Sequence, residues 1–194
     1  EFADRAKDLI KREDAVSELI KAKSIRLRQT ATNPSLLQKP LDGEVNTNFS
    51  NEEIDEPEIF NLIRDYDELE ISEKFKVAKS LIENINQNGE KVIVWFNFVK
   101  NIKLFSSYLY KSGINSEVIY GEIPLKGDSD EYHEDKKTRE AIIREFHNPE
   151  SNFKVLIANT ATIGESISLH LACSHAIYVE RDFNAASYLQ SKDR

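Results

Sequence analysis

The chain has 194 residues, 40% of them hydrophobic and 31% charged, with a formal net charge of −8 and one cysteine. This length and apolar content suit one domain of ordinary to large size with a real core. No run approaches the roughly 18 apolar residues that span a bilayer, and the opening residues do not read as a signal peptide. Cys173 has no second cysteine with which to form an internal disulfide.

A soluble, cytoplasmic protein is therefore expected. Methionine is lacking altogether, and Glu1-Phe2 opens inside a helical pattern, which reads as an excised piece of a longer protein. The acidity is local. Residues 41–73 hold 12 acidic side chains against Arg64 alone, leaving 25 basic and 22 acidic residues elsewhere. A mildly basic body with an acidic appendage is compatible with phosphate binding, although the net charge by itself argues against it.

Phe2, Ala6, Leu9, Ile10, Val16, Leu19 and Ile20 recur mostly at three- and four-residue spacing, which predicts an amphipathic packing helix. A second helical stretch around Ser24 to Gln29 should end by Ala31-Thr32-Asn33-Pro34, because the residue before proline disfavours the helical region. Ser35-Leu36-Leu37 reads as a short apolar anchor. From Leu41 to about Ser72 the pattern dissolves into a solvated loop or insertion, with room for one short helix through Ile59, Phe60, Leu62, Ile63 and Tyr66.

Beyond it the pattern is regular. Phe75, Ala78, Leu81, Ile82 and Ile85 mark a helix ending at Asn86-Gln87-Asn88-Gly89, and Val92-Ile93-Val94-Trp95-Phe96 is a continuous apolar strand of the kind covered on both faces. Phe98 to Lys111 is helical with a stop at Gly113. Glu117 to Tyr120 is the next strand, and a loop from about Glu122 to Asp135 follows it. A helix through Arg139, Ile142, Ile143 and Phe146 then leads to strands at Lys154–Ala158 and His175–Val179. This alternation predicts an α/β fold, a mainly parallel sheet with helices on both faces.

Several chemistries find no support. His170, Cys173 and His175 lie close together, but no partner pair with zinc-ligand spacing occurs elsewhere, so no metal site is expected. The acidic run Gly127 to Asp135 lacks the ligand spacing and central glycine of a calcium loop. No Gly-x-x-x-x-Gly-Lys-Ser/Thr loop, Gly-x-Gly-x-x-Gly or Gly-x-Ser-x-Gly is present, so the chain brings no phosphate cradle of its own.

The remaining polar residues stand at strand ends. Trp95-Phe96-Asn97-Phe98, Tyr120-Gly121, Arg139, Asn159-Thr160 to Leu169, Tyr178 to Asn184 and Gln190-Ser191-Lys192-Asp193-Arg194 follow one another in an order that resembles the second RecA-like lobe of superfamily-two helicases. Within these the chain is most similar to Swi/Snf-type double-stranded DNA translocases, in a bacterial-looking version. Leu27 to Leu37 resembles the segment that joins lobe one to lobe two there. The resemblance covers about residues 24–40 and 74–194. It divides the chain into a joining segment at 1–40, an acidic insertion at 41–73 and a lobe at 74–194 that stops inside the sixth motif.

The roles implied by the resemblance are these. Phe96 and Asn97 fall at the fourth motif, and Gly121 with Glu122 at the next strand end, near the tracked DNA strand, where backbone amides can hold phosphates. Thr160 matches a threonine whose hydroxyl meets a DNA phosphate. Gly164 and Glu165 lie beside the nucleotide. Gln190 and Arg194 open the sixth motif, with Arg194 as the first of its two arginines. A guanidinium there stabilises charge on a transferring phosphoryl group, which gives Arg194 the catalytic role. The chain departs from the family at Ile163 and Ser166, where two glycines are usual and where side chains fill the space of hydrogens.

The implied parent is an ATP hydrolase, a DNA-dependent helicase or translocase. Its ATP and Mg2+ would be held mainly by lobe one, its partners would be double-stranded DNA and that lobe, and it would have no membrane association. The fragment alone is expected to be inactive as an ATPase. Two alternatives stay open: a catalytically degenerate helicase-lobe binding module, and a doubly wound nucleotide-dependent transferase domain, which would need a glycine-rich first turn.

Overall fold

The computed structural model describes residues 17, 20–38, 57–124, 138–162, 169–181 and 185–192. The helix expected from Phe2, the acidic loops at 41–56 and 127–135, and the residues Gly164, Glu165 and Arg194 lie outside them. The chain divides into two compact units, Glu1–Ser72 and Glu73–Arg194.

In the first unit, a helix over residues 20–32 (α1) stops before Asn33, one residue ahead of Pro34, as the proline requires. A 3-10 turn at Pro34–Gln38 and a helix at Pro57–Leu69 (α2) follow. Asn33 organises the junction. Its amide donates to the Gln29 carbonyl, its side-chain oxygen accepts from the Ser35 amide at 3.0 Å, and its Nδ2 donates to Asp67 at 3.0 Å. Gln38 donates to the carbonyls of Ile63 and Arg64, so α2 is held from both ends of the turn. The short apolar anchor of the sequence reading is this turn, and the helix expected through Ile59 to Tyr66 is α2.

The second unit is a three-layer α/β/α assembly. Its helices are Glu73–Gln87 (α3), Val99–Lys111 (α4), Arg139–His147 (α5) and Ala185–Lys192 (α6), and its strands are Val92–Phe96 (β1), Ser116–Ile119 (β2), Val155–Asn159 (β3) and His175–Tyr178 (β4). The sheet order is β2-β3-β1-β4, and all three pairings are parallel. The parallel sheet with helices on both faces read from the sequence is therefore present.

Strand alternation divides the core. Val92, Val94 and Phe96 point to one face, under Phe75, Ala78 and Ile82 of α3 and Ile102, Phe105 and Leu109 of α4. Ile93 and Trp95 point to the other, with Ile142 and Phe146 of α5. Both sides of β1 are thus dry, which explains why its sequence is apolar without interruption.

Helix ends are set by local chemistry. Gly113, at φ +77, closes α4: its amide donates to the Tyr110 carbonyl and that of Ile114 to the Leu109 carbonyl, the paired bonds of a Schellman motif. Gly89, at φ +81, closes α3 in the same way through Asn86 and Ile85. Thr138 caps α5 by accepting from the Ala141 amide. At the other end of α5, buried Lys91 donates to the carbonyls of Phe146 and Asn148, placing a cation where the helix ends negative. Among the described residues no helix is long and apolar enough to cross a membrane.

Candidate nucleic-acid and nucleotide interface

Parallel strands deliver their carboxyl ends to one edge, and there the polar residues of the sequence reading meet. The β1 exit carries Asn97, the β3 exit Thr160, and the β2 exit Tyr120-Gly121-Glu122. The Thr160 hydroxyl donates to Asn97 Oδ1 at 3.0 Å, and the Thr160 amide donates to the Phe96 carbonyl at 3.3 Å. Asn159 Nδ2 donates to the Asn97 carbonyl at 2.8 Å, while Asn159 Oδ1 accepts from the Ala161 amide, bending the chain out of β3. Asn97 Nδ2 is buried and makes no hydrogen bond among the described residues.

Arg139, at the start of α5, ties two further loops together. Its guanidinium donates to the carbonyls of Gly121 at 2.9 Å, Tyr120 at 3.4 Å and Thr162 at 3.4 Å. The loop after β2 and the loop after β3 are thereby fastened to one planar group.

The residues expected near DNA are differently disposed. Asn97, Thr160 and Gly121 lie at the edge as described. The Phe96 side chain, however, is completely buried against Phe75 and Phe105, with ring centroids 5.9 and 5.3 Å away. Its contribution to the edge is its backbone alone. Glu122 is exposed and pairs with Lys103 at 3.1 Å, and Lys103 Nζ also lies 5.0 Å from the Tyr120 ring. Hydrogen bonding to Glu122 and the electrostatics of Tyr120 raise the Lys103 pKa.

The amides at the β1 exit are also spoken for. Glu180, just after β4, is buried, and its carboxylate accepts from the Asn97 amide at 2.7 Å, the Phe98 amide at 2.8 Å and Asn101 Nδ2. Burial pushes its pKa up, while the three donors and Lys74 work in the opposite direction. At Asn97, one of the strand-end residues whose amides the sequence reading offered to phosphates, the amide donates to this internal carboxylate, as does that of Phe98 beside it. Sequence reasoning missed Glu180. Its only signal was an acidic residue directly after an apolar strand.

Of the residues expected beside a nucleotide, Gln190 lies on α6, and Gly164, Glu165 and Arg194 lie outside the described residues. What the structure does define is the seat of α6. Tyr178 stacks on Trp95, meets the Tyr188 ring edge-on at 5.1 Å and joins its hydroxyl to Ser191 Oγ at 2.9 Å. Arg181 lies 3.9 Å above the Tyr188 ring. An aromatic column from β1 through β4 thus holds the helix that leads to Arg194.

The histidine and cysteine cluster is differently engaged. Cys173 Sγ faces the His175 carbonyl at 3.8 Å, burial pushes the thiol up to about 11, and His175 Nε2 lies 3.0 Å from Glu90. No group of three or more His, Cys, Asp or Glu is placed to hold a metal among the described residues. A groove of about 580 Å³ between α4 and β2, lined by Lys103, Tyr110, Glu117 and Glu145 among others, lies along the strand and not at the strand exits.

Comparison with known proteins agrees with this architecture. The family described as "Helicase conserved C-terminal domain" matches residues 73–194. The SNF2 domain-containing protein CLASSY 3 of Arabidopsis thaliana is 29% identical over 126 residues, which is 63% of this chain and 8% of that protein. The solved C-terminal domain of the Sulfolobus solfataricus SWI2/SNF2 ATPase superposes with a TM-score of 0.54 at 20% identity, covering 84% of this chain and 56% of the other. The C-terminal part of the Fun30 ATPase domain superposes with a TM-score of 0.52 at 20% identity, covering 63% of this chain and 36% of the other. The chain thus spans a small fraction of the curated relative and between about a third and a little over half of these structures. Its second unit has the RecA-like lobe fold, and the chain belongs to the helicase conserved C-terminal domain family, with relatives of the SWI2/SNF2 type.

Proposed function

We propose that this chain is the second motor lobe of an ATP-dependent double-stranded DNA translocase. The observation that carries the reading is the union of three strand exits at one edge, with Thr160 on Asn97 and Arg139 fastening the Gly121 and Thr162 loops. Such an edge suits one strand of a duplex, gripped by its phosphates without regard to base sequence and with strong salt dependence.

In this reading residues 1–40 join the lobe to a first lobe outside this chain, 41–73 form an acidic insertion, and 74–194 form the motor lobe. Thr160 turns its hydroxyl from Asn97 Oδ1 to a phosphate oxygen when the duplex is bound, Asn97 holds that hydroxyl in place beforehand, and the Gly121–Glu122 turn lines the same groove. Gln190, Arg194 and the Gly164–Glu165 segment face ATP and Mg2+, which are held mainly by the first lobe. ATP supplies the phosphoryl group whose transfer drives the motor. Arg194 contributes positive charge beside it, and α6 sets where that charge stands. The chain alone turns over no ATP, because it has no phosphate loop.

The test is ATP hydrolysis by the full-length protein with and without duplex DNA, in wild type and Thr160→Val. Stimulation by duplex with a raised half-saturating DNA concentration in the variant is expected. Hydrolysis indifferent to duplex contradicts the reading, and no hydrolysis in either condition leaves the catalytically degenerate binding module instead.

A further inference from the structure

The amides at the start of α4 are ordinarily an attractive seat for an external anion. Here the seat is filled from within. Phe98, the N-cap residue, makes no side-chain capping bond. In its place Glu180, 82 and 83 residues away along the chain, accepts from the Phe98 and Asn97 amides and from the wholly buried Asn101 side chain. A buried carboxylate with several donors keeps its place because leaving any donor unmet inside the protein is costly.

What Glu180 touches gives it more than a local capping role. Asn97 receives the Glu180 carboxylate on its amide, the Asn159 side chain on its carbonyl and the Thr160 hydroxyl on its side-chain oxygen. Glu180 itself is anchored in the sheet, since its amide reaches back to the Trp95 carbonyl at 3.5 Å and that of Val179 to the same oxygen at 3.2 Å. It stands between β4 and the segment leading to α6. One unbroken set of hydrogen bonds therefore runs from the exit of β4 through Glu180 and Asn97 to Thr160.

We propose that Glu180 is a positioning residue, which fixes Asn97 for Thr160 and joins the exit of β4 to the edge formed by the β1 and β3 exits. The functional half of this inference rests on the reading of that edge as a DNA-phosphate surface; the structural half does not. A corollary is that the Asn97 and Phe98 amides are closed to phosphate.

Two measurements test it together. The first is amide hydrogen exchange of the 194-residue chain. Glu180→Ala should speed exchange at Asn97 and Phe98 by about tenfold or more, since the acceptor is lost from both. Glu180→Gln should remain within about twofold of wild type, because its oxygen serves the two amides while its nitrogen donates to a flipped Asn101 side chain. Lys91→Met, which releases the far end of the sheet, controls for general destabilisation and should leave Asn97 and Phe98 unchanged relative to their neighbours. Should Glu180→Ala fail to fold, Asn101→Asp sets a second acid against Glu180 and should give the same local acceleration.

The second measurement is duplex-stimulated ATP hydrolysis by the full-length protein. Glu180→Ala should raise the half-saturating duplex concentration by about fivefold or more while the rate at saturating duplex changes less. Glu180→Gln should restore it. Unchanged exchange at Asn97 and Phe98 in both Glu180→Ala and Asn101→Asp, or reproduction of the effect by Lys91→Met, overturns the inference. If wild-type hydrolysis ignores duplex, the translocase reading fails, and the exchange experiment still decides the role of Glu180.

Discussion

The Thr160 hydroxyl donates to the Asn97 side chain at 3.0 Å, bringing together two residues that stand 63 positions apart at the exits of neighbouring strands. Two side chains in one hydrogen bond should not behave as independent sites. In a double-mutant cycle of Thr160→Val and Asn97→Ala, monitored by chemical unfolding, a coupling energy of about 1 kcal/mol is expected. Strict additivity would mean that the bond is absent in solution.

Phe96 occupies the core and not the edge, so its replacement should act on stability. Phe96→Leu is expected to lower the unfolding free energy by about 1–2 kcal/mol, as loss of buried carbon does. The slope of duplex affinity against salt should stay as in wild type, since no phosphate contact is removed. A smaller slope would place the ring against DNA.

Glu180 gives a pH dependence with a definite sign. Burial raises its folded pKa, so the folded state holds the proton more tightly than the unfolded one. Its titration favours folding at low pH, and that contribution is lost as pH rises from the ordinary glutamate pKa through the raised one. The stability of wild type relative to Glu180→Gln should therefore fall across that window and level off above it. The groups that oppose the shift are Asn101, the Phe98 and Asn97 amides and Lys74. Denaturant titrations of both proteins at stepped pH measure this directly.

Gly113 sits at φ +77 with open space around an added Cβ. Gly113→Ala should cost about 1–2 kcal/mol, from backbone strain and not from collision. Thermal unfolding would register it, and a neutral outcome would mean that the end of α4 rearranges.

These sites also show what a sequence can and cannot reveal. Strands β1 and β3 were legible because apolar runs end abruptly at polar residues, and α3 and α4 because Gly89 and Gly113 supply positive φ where helices stop. The edge was legible in part, since Asn97 and Thr160 follow their strands directly and Gly121 comes two residues after the end of its own. The inward direction of Phe96 was not, because both faces of β1 are buried and no alternation of polarity marks them. Glu180 was illegible for a different reason. An acid between Val179 and Arg181 looks solvated, and only tertiary structure brings it to amides 82 and 83 residues earlier. The guanidinium of Arg139 likewise reaches back 18 residues to Gly121, a relation with no local pattern.

The most direct test of the motor-lobe reading is steady-state ATP hydrolysis by the full-length protein at saturating duplex DNA, comparing wild type with Arg194→Ala. The expected result is a fall of about a thousandfold or more in the variant, with duplex binding retained, as for other arginines that meet a transferring phosphoryl group. An unchanged rate in Arg194→Ala would contradict it.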